Sequence, residues 1–131
     1  MTGLDSWYAY MKSHDRAEAA KALWELLHPD AVFESPVVHS PQRGRDITFK
    51  YLASAEKVLG GPGFTYVGEW RSESGAVLEF KNVIDGIEIN GVDIITFDAE
   101  GRITNFKVMV RPLKAINMLH RLMAEQLAAQ S

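Results

Sequence analysis

The sequence predicts an α+β fold in which a curved antiparallel sheet packs on N-terminal helices and a last helix closes the chain. Three observations carry this. Apolar residues recur at helical spacing through the first part of the chain; strand-like runs separated by turn signals replace them from Phe64 to Val110; and a helical pattern returns after Pro112. At 131 residues there is room for one hydrophobic core, so a single domain over residues 1–131 is expected.

The elements follow in order. Thr2 and Asp5 form a capping-box pattern, and Leu4, Trp7, Tyr8 and Met11 give a helical stripe, which predicts a helix over residues 4–13. Asp15 and Glu18 repeat the cap pattern before a second helix with the stripe Ala17, Ala20, Trp24 and Leu27, and His28-Pro29 is expected to stop it. Ala31 to Ser35 reads as a strand, and Pro36 with the loop from His39 to Gly44 breaks the pattern. A third helix is expected over residues 46–59, with Ile47, Tyr51, Ala55 and Val58 inward, and Gly60-Gly61-Pro62-Gly63 cannot extend it.

Turn signals at Ser72 to Gly75, Asp85-Gly86 and Asp98 to Gly101 then divide the second half into a meander of antiparallel strands. A two-residue loop at Asp85-Gly86 pairs Ile84 with Ile87, and this register sets Phe80 opposite Gly91 and Leu78 opposite Asp93. One face becomes Leu78, Phe80, Asn82, Gly91, Asp93, Ile95 and Phe97. A four-residue turn at Asp98 to Gly101 would pair Phe97 with Arg102 and set Asp93 against Phe106, with Val108 and Val110 on the same side. The opposite face carries Val77, Val92, Ile94 and Met109, an apolar patch that predicts a homodimer through the outer sheet face. Pro112 is placed to open a last helix with the stripe Leu113, Ile116, His120, Met123 and Leu127.

Composition excludes several classes of function. Apolar residues at 47% are enough to fill a core, so a disordered tail is excluded. The formal charge is -3 and the basic residues are scattered, so a nucleic-acid partner is not expected. The absence of cysteine removes disulfides, thiolate nucleophiles and sulfur-ligated metals. The four histidines form no His-Glu-x-x-His or comparable pattern, and no nucleotide-binding glycine loop precedes a helix, so neither a metal nor a cofactor is expected. With no long apolar run, no membrane partner is expected and a cytoplasmic location is the default.

A long, bent sheet wrapped over helices makes a cone. Several segments then carry a resemblance: His28 to Val37, Gly44-Arg45-Asp46, Gly91 to Asp98, Gly101-Arg102-Ile103 and Val110 to Leu113. In their order and spacing they resemble the SnoaL-like (polyketide-cyclase-like) branch of the nuclear-transport-factor-2-like superfamily. The resemblance implies a cone with an apolar cavity, a dimer through the outer sheet face, and a polyketide, steroid or terpenoid-like ligand. It also implies isomerisation, cyclisation or hydration without a cofactor, but the fold hosts noncatalytic modules as well, and a ligand-binding or interaction module stays open beside the enzyme.

Asp93 is the sharpest candidate. A lone carboxyl among apolar side chains should have a raised pKa, and can then donate a hydrogen bond or act as an acid or base near neutral pH. In ketosteroid isomerases, members of this superfamily, the position before a similar run ending in Phe-Asp-x-x-Gly-Arg-Ile is an oxyanion-hole Asp, and it falls on Asp93; a structural Asp bonded to a buried ring is the competing reading. Ser35 stands where the same pattern puts its catalytic base, which a serine cannot replace, so it is expected as a ligand-binding or loop-edge hydroxyl. His39, in the loop at the expected mouth, is an alternative proton carrier. Tyr51, Tyr66 and Trp70 are expected as cavity walls with Leu78, Phe80, Phe106 and Val108, whereas Trp24 and Phe33 read as core.

Overall fold

The computed structural model describes residues 2–129. Helix α1 covers Gly3–Lys12 and starts at the expected capping box, in which Thr2 Oγ1 accepts the Asp5 amide at 3.1 Å and the Thr2 amide donates to Asp5 Oδ2 at 3.2 Å. Helix α2, Arg16–Leu26, begins where Asp15 Oδ1 accepts the Glu18 amide at 3.1 Å. Its buried face is Ala19, Leu23 and Leu26, one step round from the expected stripe of Ala17, Ala20 and Trp24. Trp24 sits at the margin because Arg45 covers its ring at 4.4 Å and donates twice to its carbonyl, at 3.0 and 2.6 Å.

Helix α2 stops before His28-Pro29 as expected, and a strand rather than a loop follows. Strand β1, Leu27–Glu34, starts directly after α2, and Pro29 falls in the irregular stretch between the pairs Leu27–Ile103 and Val32–Asn105, where no ladder amide is needed. The short strand β2, Gln42–Arg43, pairs antiparallel with β1. Helix α3, Arg45–Leu59, buries Thr48, Leu52 and Ser54, while Ile47, Tyr51, Ala55 and Val58 are half-buried beside them. The face is turned because Thr48 Oγ1 bonds to the Ala31 carbonyl at 3.0 Å.

Strands β3 (Thr65–Arg71), β4 (Gly75–Ile84), β5 (Ile87–Phe97) and β6 (Ile103–Arg111) form the expected antiparallel meander. The full sheet runs β2-β1-β6-β5-β4-β3, and β1 joins β6 in parallel, so the sheet is mixed rather than wholly antiparallel. The β4–β5 register is the expected one, with Ile84 opposite Ile87, Phe80 opposite Gly91 and Leu78 opposite Asp93. Asp85 and Gly86 both have positive φ, 51° and 76°, as a two-residue hairpin turn with the native twist requires.

The β5–β6 register differs from expectation by two residues from Asn90 to Thr96 and by one at Phe97, which pairs with Ile103 rather than Arg102. The Asp98 amide donates to the Arg102 carbonyl at 2.8 Å, Gly101 turns the chain at φ 83°, and the ladder shifts between Thr96 and Phe97. Asp93 therefore faces Val108, and Phe106 faces Ile95. A shift of two leaves each side chain on its face. Helix α4, Leu113–Ala129, starts after Pro112, whose carbonyl accepts the Ala115 amide. It buries Ala115, Met118 and Leu119, whereas Leu113 and His120 of the expected stripe are exposed.

The core lies between the concave sheet face and the helices. Leu78, Phe80, Ile95 and Phe106 from the sheet meet Trp7, Tyr10, Leu23, Leu52 and Leu119. Gly91 lets the sheet come close to itself: a Cβ there would lie 2.5 Å from the Phe80 ring and 2.6 Å from the Met109 carbonyl.

Candidate functional site

Inward-facing positions on α1, β3 and β5 bring three polar groups together inside the cone. Trp7 lies on the buried stripe of α1, so its indole reaches inward, and its Nε1 donates to Tyr66 Oη at 3.1 Å. Tyr66 alternates inward on β3 opposite Phe80, and its hydroxyl donates to Asp93 Oδ2 at 2.6 Å. Asp93 is on the inner face of β5 and only 6% exposed. Its Oδ1 takes no hydrogen bond among the described residues, which leaves that oxygen for a ligand.

Burial pushes the Asp93 carboxyl up to about 7, against the Tyr66 hydrogen bond, which pulls it down. Burial also pushes the Tyr66 hydroxyl far above its ordinary value, with the Asp93 charge and hydrogen bond adding to this and the Trp7 donation opposing it. The relay has one consistent state: the proton stays on Tyr66, and Asp93 is the group that titrates near neutrality. A neutral carboxyl here donates to a ligand oxygen, and an ionised one accepts a proton.

Around this relay lies a cavity of about 70 Å³. Trp7, Phe33, Phe64, Tyr66, Phe80, Asp93, Phe106 and Val108 line it together with Met11, Ser35, Pro36, Val37, Glu56, Leu59 and Met123. The rings are fixed by edge and tilted contacts, Trp7 on Phe106 at 4.9 Å and Phe64 on Tyr66 at 5.0 Å. The volume exceeds the about 10–15 Å³ that one water needs. It is well below the about 300–1,000 Å³ of clefts that take drug-sized ligands.

The expected site residues divide. Asp93, Tyr66, Phe80, Phe106, Val108 and Ser35 line the cavity together. Ser35 Oγ accepts the Val37 amide at 3.1 Å, a local turn bond that leaves its proton to give. Tyr51 is not a cavity wall, because it stacks on Phe33 at 5.3 Å from the α3 side. Leu78 is fully buried in the core and does not border the cavity. Trp70 is 58% exposed on the outer sheet face, opposite Val77, its ring lying over Gly68, since the ladder shift between Tyr66 and Gly68 breaks simple alternation along β3. His39 is exposed in an outer groove with Glu34, Lys107 and Met109, and Ser35 to Val37 stand between that groove and the cavity.

Two residues escaped sequence reasoning. Trp7 was legible as core, but its partner across 59 positions was not. Glu56 lines the cavity with one oxygen held by Arg16 Nη1 at 2.8 Å; its place one turn before the Gly60 helix end was the available signal. Among the described residues no group of three or more His, Asp or Glu is arranged to hold a metal ion.

A steroid delta-isomerase from Pseudomonas aeruginosa superposes on the chain with a TM-score of 0.88 at 35% identity, covering 98% of this chain and 90% of the other. The chain belongs to the family of this isomerase, and it shares its fold with SnoaL-like and nuclear-transport-factor-2-like proteins. A SnoaL-like family protein from Agrobacterium tumefaciens shares the fold at a TM-score of 0.61 and 15% identity, over 84% of this chain and 95% of that one. An NTF2-like protein from Mesorhizobium loti does so at 0.65 and 21%, over 84% and 91%. No family model matches the sequence, and no curated protein matches it. Ser35 and Asp93, the two residues that the sequence resemblance singles out, both border one cavity.

Proposed function

We propose that the protein binds a small, mostly apolar molecule bearing a carbonyl or hydroxyl oxygen, and moves a proton on it by acid/base chemistry without a cofactor. One observation carries this reading: a buried carboxyl that titrates near neutrality, with one oxygen fixed by Tyr66 and the other unbonded, in an otherwise apolar cavity. The ligand oxygen would meet Asp93 Oδ1, and the rings of Phe64, Phe80 and Phe106 would hold a flat carbon skeleton. The isomerase relative favours a double-bond shift beside a carbonyl as the reaction class. A cavity of about 70 Å³ is smaller than the ~150 Å³ that takes one benzene ring, so any ring compound of polyketide or terpenoid type must displace side chains at its border, and a four-ring steroid is disfavoured most. Met11 and Met123 are flexible side chains at its border that can yield to a larger ligand.

The experiment is a thermal-shift series with monocyclic and bicyclic phenols and ketones and with ketosteroids, on the wild type and on Asp93→Asn. The bicyclic compounds should raise the Tm by mass action and lose most of this effect in Asp93→Asn. Native ketosteroid turnover should be absent, because a four-ring skeleton far exceeds the cavity. No stabilisation by any compound would instead favour an interaction module, the reading that the serine at the base position supports.

A further inference from the structure

If Asp93 serves as the proton donor, the cavity needs a base, and the position that the resemblance marks for it holds Ser35. We propose that Glu56 is that base, a carboxylate supplied from helix α3 instead of from the end of β1. This rests on the acid/base reading above. Among the described residues that line the cavity, the carboxyl groups are Asp93 and Glu56.

The local structure suits the role. Glu56 lies in the last turn of α3, where its carbonyl accepts the Gly60 amide at 2.7 Å. Gly60 also borders the cavity, and a Cβ there would come within 2.3 Å of the Glu56 carbonyl and 3.2 Å of Oε1. Glycine at this position lets the chain pass close to the Glu56 carbonyl, with Oε1 beside it. Arg16 of α2 holds Oε2 at 2.8 Å, so the side chain is anchored as the anionic half of an ion pair while Oε1 stays beside Gly60. Tyr10 is buried near both charges, and its hydroxyl is pushed up to about 12, so it stays neutral and does not compete for the proton. Asp93 and Glu56 thus line one cavity in different surroundings, Asp93 buried against Tyr66 and Glu56 part-exposed and paired with the Arg16 guanidinium, the condition that divides acid from base.

The step balances without an oxidant or reductant. Glu56 takes a proton from the carbon next to a ketone, the C–H electron pair becomes a C=C bond, and the carbonyl oxygen takes up the Asp93 proton to give the enol. Return of the proton from Glu56 to the same carbon gives exchange, and return to the γ-carbon of an enone gives isomerisation. In both, the enol proton goes back to Asp93.

The test uses 2-tetralone, a bicyclic ketone, in deuterated buffer, with exchange followed by proton NMR and binding by thermal shift. The wild type should accelerate exchange over buffer, and Glu56→Gln should lose about 100-fold of that acceleration with 2-tetralone binding kept. Glu56→Asp should recover part of it, and His39→Ala should match the wild type. Wild-type exchange in Glu56→Gln would overturn the assignment. Binding by the wild type without acceleration would overturn the base but leave the binding reading, and absence of 2-tetralone binding would overturn both.

Discussion

At the scale of single residues, the cavity turns on one carboxyl whose ionisation conflicts with its surroundings. Burial raises Asp93 from an ordinary 3.8 to about 7, so the folded protein binds its proton more readily than the unfolded chain does. The stabilising contribution is full below about pH 4 and is lost as pH rises through 7, amounting to something on the order of 4 kcal/mol. Denaturant unfolding of Asp93→Asn across pH 4 to 8 should therefore give a flatter profile than the wild type, and an unchanged slope would mean that Asp93 is ionised throughout. That a carboxyl would stand among apolar residues was legible, because the Asp85-Gly86 turn fixes the register through Leu78 and Asp93. Its partners were not. The hydrogen bonds from Tyr66 and Trp7 join residues separated by 27 and 59 positions, and no local pattern encodes such pairs.

At the scale of elements, turns were read better than faces. Capping boxes and two-residue hairpins depend on neighbouring residues, so Thr2, Asp15 and Asp85-Gly86 were found from the sequence alone. Helix faces depend on what lies opposite, and in α2 the choice between Trp24 and Leu23 was decided by Arg45, which no periodicity contains. The same limit hid the position of Trp70, where one ladder irregularity on β3 carries the ring to the outer face. Gly91 shows what the bent strand β5 requires. Gly91→Ala should push the Phe80 ring towards the cavity, cost about 1–3 kcal/mol in chemical unfolding, and weaken ligand-induced thermal shifts. Full retention of both would show that the floor of the cavity yields more easily than its packing implies.

At the scale of the whole molecule, the sheet separates two surfaces with different uses. The concave face holds the cavity, and the outer face carries Val77, Val92, Ile94 and the exposed Trp70 and Met109. Such a patch supports the proposal of a two-fold homodimer. Sedimentation should give a dimer at micromolar concentration and a monomer for Ile94→Lys; a wild-type monomer would remove the proposal. Among the described residues no helix is long and apolar enough to cross a membrane. The central claim, that the cone holds a carboxyl able to give or take a proton near neutral pH, is tested most directly by a carbon-13 NMR titration of the Asp93 carboxyl in the wild type and in Tyr66→Phe. A midpoint near 7 that rises further in Tyr66→Phe is the predicted result, and a midpoint at or below the ordinary 3.8 in the wild type would contradict it.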